Sequence, residues 1–208
     1  MLRRTKGRLL LTLLVITGLA GTIHDTALSK KERKVAITLM KDTKTEFLKS
    51  TKNLSKKQLN FRPAKDHLSI KEHIYQASFA ENKFWHLLET AMKAPADPKM
   101  RSKITISDDD IIEMMNGSEG CIEFLEMKDE KAILAKTIDE ALAGFKNKRM
   151  DHIKYINIST EDLRNHVIQM PFGWIDCYQL CLVIAVQTHL HTQKINKLRA
   201  DPHFPGNK

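Results

Sequence analysis

The feature that most constrains the fold is a helix-start signal that occurs three times. Ser29, Ser69 and Thr137 are each followed by a glutamate three residues later. In this capping box the hydroxyl accepts a hydrogen bond from the third helical N–H, and the glutamate reaches back to the N–H of the cap. Together they stabilise a helix start by about 1 kcal/mol. One match is weak evidence, but three matches followed by helical apolar patterns predict three long helices.

Apolar residues after these starts recur at helical spacing. They predict a first helix over about residues 30–52, a second over 70–93 and a third over 138–156. A fourth is predicted over 177–199, with Asp176 as its cap. Steps of four and three residues are typical of helices that pack along partners at a shallow angle. The predicted buried stripes are Ala36, Met40, Thr43 and Phe47; Ile70, Ile74, Ala77, Glu81, Phe84, Leu88 and Ala91; Ile138, Ala141, Leu142, Phe145, Ile153 and Ile156; and Cys177, Cys181, Ile184, Thr188, His191, Ile195 and Leu198.

A long segment separates the second helix from the third. Pro95 and Pro98 end the second helix, and an irregular stretch continues to about residue 135. It is predicted to contain a short helix near residues 108–115 and an apolar patch at 122–125. No alternating strand pattern longer than a few residues occurs. We therefore predict an all-α protein, an up-down four-helix bundle with a long crossover between helices 2 and 3.

The N-terminus has the order of a secretory signal peptide. Residues 1–8 are basic, and residues 9–21 form an apolar run that ends in small residues. This run is too short to span a bilayer comfortably, although an uncleaved membrane anchor is the alternative. We expect residues 1–21 to engage the membrane during export to the periplasm or cell surface. The bundle domain is then predicted over residues 28–206.

The charge of the chain does not indicate a nucleic-acid partner. The formal net charge is +9, but four of the basic residues lie in the first 21, which contain no acid. The remainder has 30 basic and 25 acidic residues. They form no basic stripe interleaved with aromatic side chains, which binding to phosphates requires.

The three cysteines are predicted to be free thiols. Cys177 and Cys181 lie one helical turn apart, a spacing better suited to two small core residues than to a disulfide. Cys121 lies in a different region. Three is also an awkward number of cysteines for an exported protein.

Several short segments occur in a characteristic order along the chain. They are SKKERK at 29–34, LNFRPA at 59–64, SIKE at 69–72, KAPADP at 93–98, DLRNH at 162–166, PFG at 171–173 and QTHLHTQKI at 187–195, with the tail at 197–205. Together they resemble the DinB-like proteins, a family of DNA-damage-inducible four-helix bundles. The resemblance extends over about residues 28–206 and implies the four-helix bundle fold.

The resemblance also implies the position of a metal site. Such proteins typically carry one histidine on the second helix and two, four residues apart, on the fourth, which together bind a divalent metal. The corresponding positions here are Gln76, Gln187 and His191. Residues 187 and 191 share a helix face, but a glutamine amide is a poor ligand for zinc or nickel compared with imidazole. The implied cofactor is therefore zinc or nickel, bound weakly or not at all.

Two other arrangements of this pocket are open. Gln76 and Gln187 could hydrogen-bond each other, His191 or water. A displaced metal site could instead form from His73, His191 and Glu81, although His73 lies one turn before Gln76 and would need a shifted helix. The position of Glu81 on the apolar stripe favours a hydrogen-bonded core carboxylate over a general base.

The remaining polar candidates favour structural roles. His152, His166 and His203 are predicted as surface or turn residues. The acidic run at residues 108–110 follows Ser107 at a helix start, where the helix dipole favours negative charge. No glycine and distal glutamate follow at the spacing of a calcium-binding EF-hand.

Two functions from different classes follow. As an enzyme, the protein would resemble metal-dependent DinB-like hydrolases or thiol transferases, with the metal as Lewis acid or thiolate activator. As a binding module, it would hold an unknown small molecule or a partner in a degenerate metal pocket without strong metal-dependent turnover. Glutamine at positions 76 and 187 favours the binding module. A homodimer is left open.

Overall fold

A computed structural model describes residues 27–117 and 137–206. The predicted signal segment at 1–21, Cys121 and the apolar patch at 122–125 therefore lie outside the described residues. The elements are α1 (Lys30–Ser50), α2 (Lys56–Leu59), α3 (Ile70–Met92), α4 (Asp108–Glu113), α5 (Ile138–Ile158), β1 (Val167–Met170), β2 (Gly173–Asp176) and α6 (Cys177–Arg199), with 3₁₀ turns at Pro98–Lys103 and Met114–Asn116.

The predicted helix starts are confirmed. Ser29, Ser69 and Thr137 each accept from the third helical N–H, and the glutamate there returns to the N–H of the cap. Asp176 caps α6 in the same way, together with Gln179. Local sequence therefore sets where each long helix begins.

The long helices α1, α3, α5 and α6 form the bundle. Helix α6 packs against α1 and α3, and α5 packs against the same two helices from the other side. The prediction of an all-α four-helix bundle with the second long helix beside the fourth is confirmed. Within the described residues, none of the helices combines the length and apolar character needed to cross a bilayer.

One end of the bundle, which we call the lower end, gives the helix directions. Phe47 near the end of α1, Ile74 near the start of α3, Phe145 near the start of α5 and Ile195 near the end of α6 share one apolar cluster. Helices α1 and α6 thus run toward the lower end, and α3 and α5 run away from it. A strict up-down alternation is therefore wrong. The long crossover brings the chain back to the lower end before α5 begins.

The described part of the crossover runs along α6. Gln179, near the start of α6, donates to the carbonyl of Ile106 at 2.9 Å, and Gln193, near its end, donates to the carbonyl of Met115 at 3.1 Å. With α1 and α3 also packed against it, α6 is buried without interruption over residues 177–188. Full enclosure explains why this helix is apolar on nearly every side.

A short hairpin connects α5 to α6. Strands β1 and β2 pair antiparallel, with Val167 opposite Asp176 and Met170 opposite Gly173. The predicted turn at 171–173 is present, and Gly173 adopts a φ of 134°, which favours glycine. The strands were not predicted because each has only four residues.

The predicted buried stripes are confirmed for α1, α3 and α6, except that Ala91 is only partly buried. Helix α5 differs, because Arg149 and His152 are buried on it. The predicted stripe residues that are only partly buried on α5 are Ile138, Leu142 and Ile153. The buried face of α5 thus keeps helical spacing but includes two polar residues.

Candidate functional site

A charged cluster lies at the middle of the bundle. Arg149 on α5 is completely buried and pairs with Glu81 on α3, with Nε–Oε1 at 2.9 Å and Nη2–Oε2 at 2.5 Å. Its remaining N–H groups donate to acceptors on α1 and α6, namely Met40 O, Thr43 Oγ1, Ile184 O and Thr188 Oγ1. All N–H groups of the guanidinium are therefore used, and one side chain connects all four long helices.

His152 completes this cluster, which we call the central network. Its Nδ1 lies 2.7 Å from Glu81 Oε1, and its ring stacks on Trp85 with centroids 3.7 Å apart. The prediction of His152 as a surface residue is wrong, because the residue is 2% exposed.

Glu81 is the hydrogen-bonded core carboxylate that its position favoured. Burial by itself would raise the pKa of Glu81, but Arg149 and His152 outweigh burial, and the pKa is lowered. Both carboxylate oxygens of Glu81 are held by these two neighbours. The general-base role is therefore not supported, since Glu81 is engaged in the core and lines none of the described cavities.

Two buried histidines meet between α3 and α6, closer to the lower end. His73 Nδ1 and His191 Nδ1 are 3.1 Å apart, and the residues are 5% and 3% exposed. The expectation that His73 needs a shifted helix is wrong, because the antiparallel packing of α3 and α6 places it opposite His191. The alternative metal site of His73, His191 and Glu81 is also wrong, because Glu81 belongs to the central network and not to this pair. We call His73 and His191 the imidazole pair.

Gln76 and Gln187 lie next along the same interface, and we call them the amide layer. Gln76 is three residues after His73 and Gln187 is four residues before His191, so both lie about 5 Å farther from the lower end than the imidazole pair. They are 5% and 2% exposed. Gln76 Oε1 and Gln187 Nε2 are buried and have no hydrogen-bonding partner in the described parts of the chain. The two glutamines therefore do not bond each other through these atoms.

The three predicted metal positions thus all face the α3–α6 interface, and His73 joins them. His191 is uncharged at neutral pH because burial lowers its pKa well below the usual value, and His73 and Lys194 lower the pKa further. An uncharged imidazole can donate through one nitrogen and accept through the other.

The donor chemistry of these residues decides whether a transition metal fits. Within the described residues, no group of three or more His, Cys, Asp or Glu side chains could hold a metal ion. The amide layer presents one acceptor, Gln76 Oε1, and one donor, Gln187 Nε2, whereas a cation requires acceptors only. As arranged, these residues do not fit a zinc or nickel centre of the three-imidazole kind.

A cavity of about 510 Å³ opens beside the imidazole pair. This volume is in the range of small-molecule sites. His73 lines the cavity, together with residues of the segment before α3 and of the last turns of α6. The lining includes His67, Leu68, Lys194, Lys197 and Leu198. The site therefore has an outer cavity with His73 at its wall, His191 behind His73, and the amide layer about one turn farther from the lower end.

Two further histidines have structural positions. His166 is buried in the turn before β1, with Nδ1 2.6 Å from Asp162 O and Nε2 3.0 Å from Ala94 O. It is a turn residue as predicted, although not on the surface. His203 is exposed in the C-terminal tail, as predicted.

The acidic run begins α4, as predicted. Ser107 and Asp110 form its capping box, and Asp108 pairs with Arg164 at 2.5 Å. The carboxylates that surround Arg164 are those of Glu32, Asp108 and Asp176. A guanidinium thus occupies the centre of this acidic cluster, which ties the starts of α1, α4 and α6 together.

Cys177 and Cys181 are free and buried, as predicted. Burial raises the pKa of Cys177 to about 12, and it raises the pKa of Cys181 well above its usual value. Both are therefore protonated core residues and not nucleophiles.

Comparison with known proteins supports the fold. No family model matches the chain, and no curated protein matches it. Among solved structures it is similar to YfiT from Bacillus subtilis, described as a probable metal-dependent hydrolase with an unusual four-helix bundle topology. The likeness covers 83% of this chain and 89% of YfiT, with a TM-score of 0.57 and 9% sequence identity. At this identity the likeness shows a YfiT-type four-helix bundle and nothing about the reaction.

Proposed function

We propose that this protein is a binding module that holds a small polar molecule against the amide layer, without a tightly bound metal. The observation that carries this proposal is the pair of buried atoms Gln76 Oε1 and Gln187 Nε2, which lack partners among the described residues. An unsatisfied buried polar group costs about 1–3 kcal/mol. Native proteins contain few of these groups, and each calls for an explanation. A bound molecule that supplies both missing hydrogen bonds would provide one.

The two atoms define what that molecule must offer. Gln76 Oε1 needs a donor and Gln187 Nε2 needs an acceptor. A hydroxyl group donates and accepts through a single oxygen, and a carboxamide donates through its nitrogen and accepts through its oxygen. His191, which is uncharged because its pKa is lowered by burial, adds no positive charge to this layer. The inner part of the site thus favours an uncharged polar group.

Metal content is the first test. Protein purified without added metal or chelator should contain well under one zinc or nickel ion per chain, measured by elemental analysis. One tightly held transition metal per chain, lost on His191→Ala, would contradict the proposal and favour the enzyme.

A gain-of-function pair tests whether the pocket derives from a metal site. Gln76→His combined with Gln187→His returns three imidazoles to the implied positions and should restore zinc or nickel binding. The folded state should then gain about 2.7 kcal/mol at a metal concentration one hundred times Kd, visible as a higher Tm. Gln169→His, at an exposed position on β1, is the control. A double variant that stays metal-free would show that positions 76, 187 and 191 are not the metal positions.

A divalent-metal-dependent hydrolase or thiol transferase is the second candidate, and one distance favours it. The imidazole nitrogens of His73 and His191 are 3.1 Å apart. Two nitrogens bound to one tetrahedral zinc at about 2.0 Å would be separated by roughly 3.3 Å. The similarity to YfiT, described as a probable metal-dependent hydrolase, points the same way. Zinc titration followed by the imidazole signals of both histidines distinguishes this candidate, because a metal would shift both together at stoichiometric zinc.

We also propose export, on the basic and apolar order of residues 1–21. The mature protein is expected in the periplasm or at the cell surface. Mass spectrometry of the native N-terminus tests this proposal. A cytoplasmic chain that still begins at Met1 would refute it.

A further inference from the structure

The charged residues of this protein are divided unevenly along the chain. Residues 30–57, which form α1, the turn after it and the start of α2, contain 10 basic and 3 acidic residues. The other residues that the structure describes contain 16 basic and 16 acidic residues. The net positive charge of the described chain therefore comes from one segment, which indicates a surface for an anionic partner.

Much of this charge lies on the solvent-exposed side of α1, which we call the basic face. The exposed lysines of α1 are Lys30, Lys31, Lys34, Lys41 and Lys49. They extend along about 28 Å of helix. Helical spacing places them on the side opposite the buried stripe of α1. The basic face is thus a row of ammonium groups along nearly the whole length of one helix.

The acidic residues of the same segment leave this row largely uncompensated. Glu32 pairs with Arg164 at 2.7 Å, and Glu46 lies 3.3 Å from His189, so other elements engage both carboxylates. Asp42 is the third acid and is exposed on α1. Within residues 27–117 and 137–206, none of the five lysines is in an ion pair with a carboxylate. The basic face therefore keeps most of its positive charge for a partner.

The composition of the basic face favours a membrane over a nucleic acid. All of its cations are lysines, whereas arginine is the usual residue for bidentate contacts to phosphates. The uncharged residues exposed on α1 are Thr38 and Thr45, so no aromatic side chain is present for a base to stack on. A row of point charges on a helix matches the distributed negative charge of an anionic bilayer, and clusters of four to eight basic residues are typical of proteins that bind one.

The sequence before α1 brings the basic face close to a membrane. The apolar run at residues 9–21, which is expected to engage the membrane during export, ends eight residues before the cap of α1 at Ser29. Eight residues span at most about 29 Å. While the apolar run is in a bilayer, the start of the basic face is therefore held near the bilayer surface.

We infer that the basic face of α1 docks this bundle on the surface of an anionic membrane. This inference goes beyond the proposed function and does not depend on it. Helices α5 and α6 each pack against both α1 and α3, so α1 and α3 lie diagonally across the bundle. Docking through α1 therefore directs α3, which carries His73 and Gln76, away from the membrane.

Cosedimentation of the full chain with lipid vesicles tests the inference. One set of vesicles is phosphatidylcholine alone, and the other is a mixture of phosphatidylcholine and phosphatidylglycerol. The neutral vesicles measure the binding that the apolar run at residues 9–21 supplies by itself. Binding to the anionic vesicles should be at least about tenfold stronger, and this difference should shrink as salt is added, because salt screens exposed charges.

A matched pair of triple variants locates the docking surface. The first variant combines Lys34→Gln, Lys41→Gln and Lys49→Gln. The control removes the same number of charges from exposed positions on α5, with Lys146→Gln, Lys148→Gln and Lys154→Gln. The basic residues within positions 1–8 are common to both variants and cancel in the comparison.

The two variants should differ clearly in their binding to anionic vesicles. One lysine near an anionic surface strengthens binding about fivefold, the equivalent of about 1 kcal/mol. The first variant should therefore bind at least about tenfold more weakly than the wild type, while the control should stay within about twofold of it. Circular dichroism of both variants checks that the bundle is intact.

Each other outcome overturns the inference. Equal binding to neutral and anionic vesicles would mean that lipid charge is not recognised. Equal losses in the two triple variants would show a general charge effect without a defined face. Binding to anionic vesicles that does not weaken with added salt would exclude electrostatic docking. Tighter binding to a DNA duplex than to anionic vesicles, lost in the first variant, would assign the basic face to a nucleic acid instead.

Discussion

The central network and the amide layer lie about one and a half helical turns apart along α3, at Glu81 and Gln76. Both are buried and polar, and both lie where α3 meets α6. In the central network every N–H of Arg149 has an acceptor on one of the three other long helices. In the amide layer, Gln76 Oε1 and Gln187 Nε2 have no partner among the described residues.

This difference indicates a structural role for the central network and a binding role for the amide layer. A charge as deeply buried as that of Arg149 is tolerated only when it is paired and hydrogen-bonded, so the central network fixes the register of the four helices. A partnerless amide adds nothing to the folded state and costs free energy. We interpret the amide layer as a place where stability is lost in favour of binding.

The largest expected loss of stability comes from breaking the central network. Arg149→Met leaves the Glu81 carboxylate buried without its main cation, which should lower the free energy of unfolding by about 3–5 kcal/mol. Urea denaturation measures this loss. Removing both charges with Arg149→Met and Glu81→Met should recover most of it, since no unpaired charge remains. A single variant as stable as the wild type would show that the network does not hold the bundle together.

The second prediction is a gain in stability from changing the amide layer. Gln76→Met or Gln187→Met replaces an unsatisfied amide by an apolar chain of similar length and should raise the free energy of unfolding by about 1–3 kcal/mol. Gln58→Met is the matched control. Gln58 is 4% exposed, but it accepts from Ser55 N at 2.9 Å and donates to Pro205 O at 3.0 Å, so its replacement should destabilise. If all three variants destabilise the protein alike, the two glutamines of the amide layer do not cost free energy in the unbound protein.

The third prediction uses pH to separate the central network from the imidazole pair, which lies next to the amide layer. The folded-state pKa of His191 lies well below 6.5, mainly through burial. The unfolded chain therefore binds more protons below pH 6.5, and stability should fall as the pH is lowered from there, by up to about 1.4 kcal/mol per pH unit. The lowered pKa of Glu81 has its effect at more acidic pH, because its stabilising charge is lost only below the usual value of 4.5.

The measurement is the slope of unfolding free energy against pH between 7 and 5. His191→Gln removes the titrating group and should flatten that slope, whereas His203→Gln, at an exposed position in the tail, should not. Identical slopes for wild type and His191→Gln would mean that His191 is not held uncharged by burial.

The sequence predicted the scaffold well because the helix starts are local. Ser29, Ser69 and Thr137 specify them through contacts only three residues away. The polar layers were harder to predict, because partners such as Arg149 and Glu81 are 68 residues apart in sequence. Arg149 and His152 do continue the helical spacing from Phe145 to Ile156, so a stripe that allowed polar members would have included them. Both side chains are polar, so the apolar pattern of α5 does not indicate them.

The position of the candidate site was predictable only in part. The resemblance placed Gln76, Gln187 and His191 on facing helices, and the structure brings all three to the α3–α6 interface. His73 was missed as a direct contact of His191, because the relative axial position of two antiparallel helices is set by packing along their whole length. The missing partners of the two glutamines also depend on three-dimensional packing and leave no sequence signal.

The smallest expected effect comes from a residue next to the amide layer. Thr188 follows Gln187 but belongs to the central network, where its Oγ1 accepts from Arg149 Nη2 at 2.7 Å. Thr188→Val keeps the shape and removes this acceptor. The loss should be about 1 kcal/mol, because Arg149 Nη2 retains the carbonyl of Ile184 at 3.3 Å. The control is Thr45→Val on the exposed face of α1, whose hydroxyl donates only within its own helix and which should change little. Adjacent residues would then shift stability in opposite directions, down for Thr188→Val and up for Gln187→Met. A stabilising Thr188→Val would instead place this residue with the amide layer and erase the boundary between the two regions.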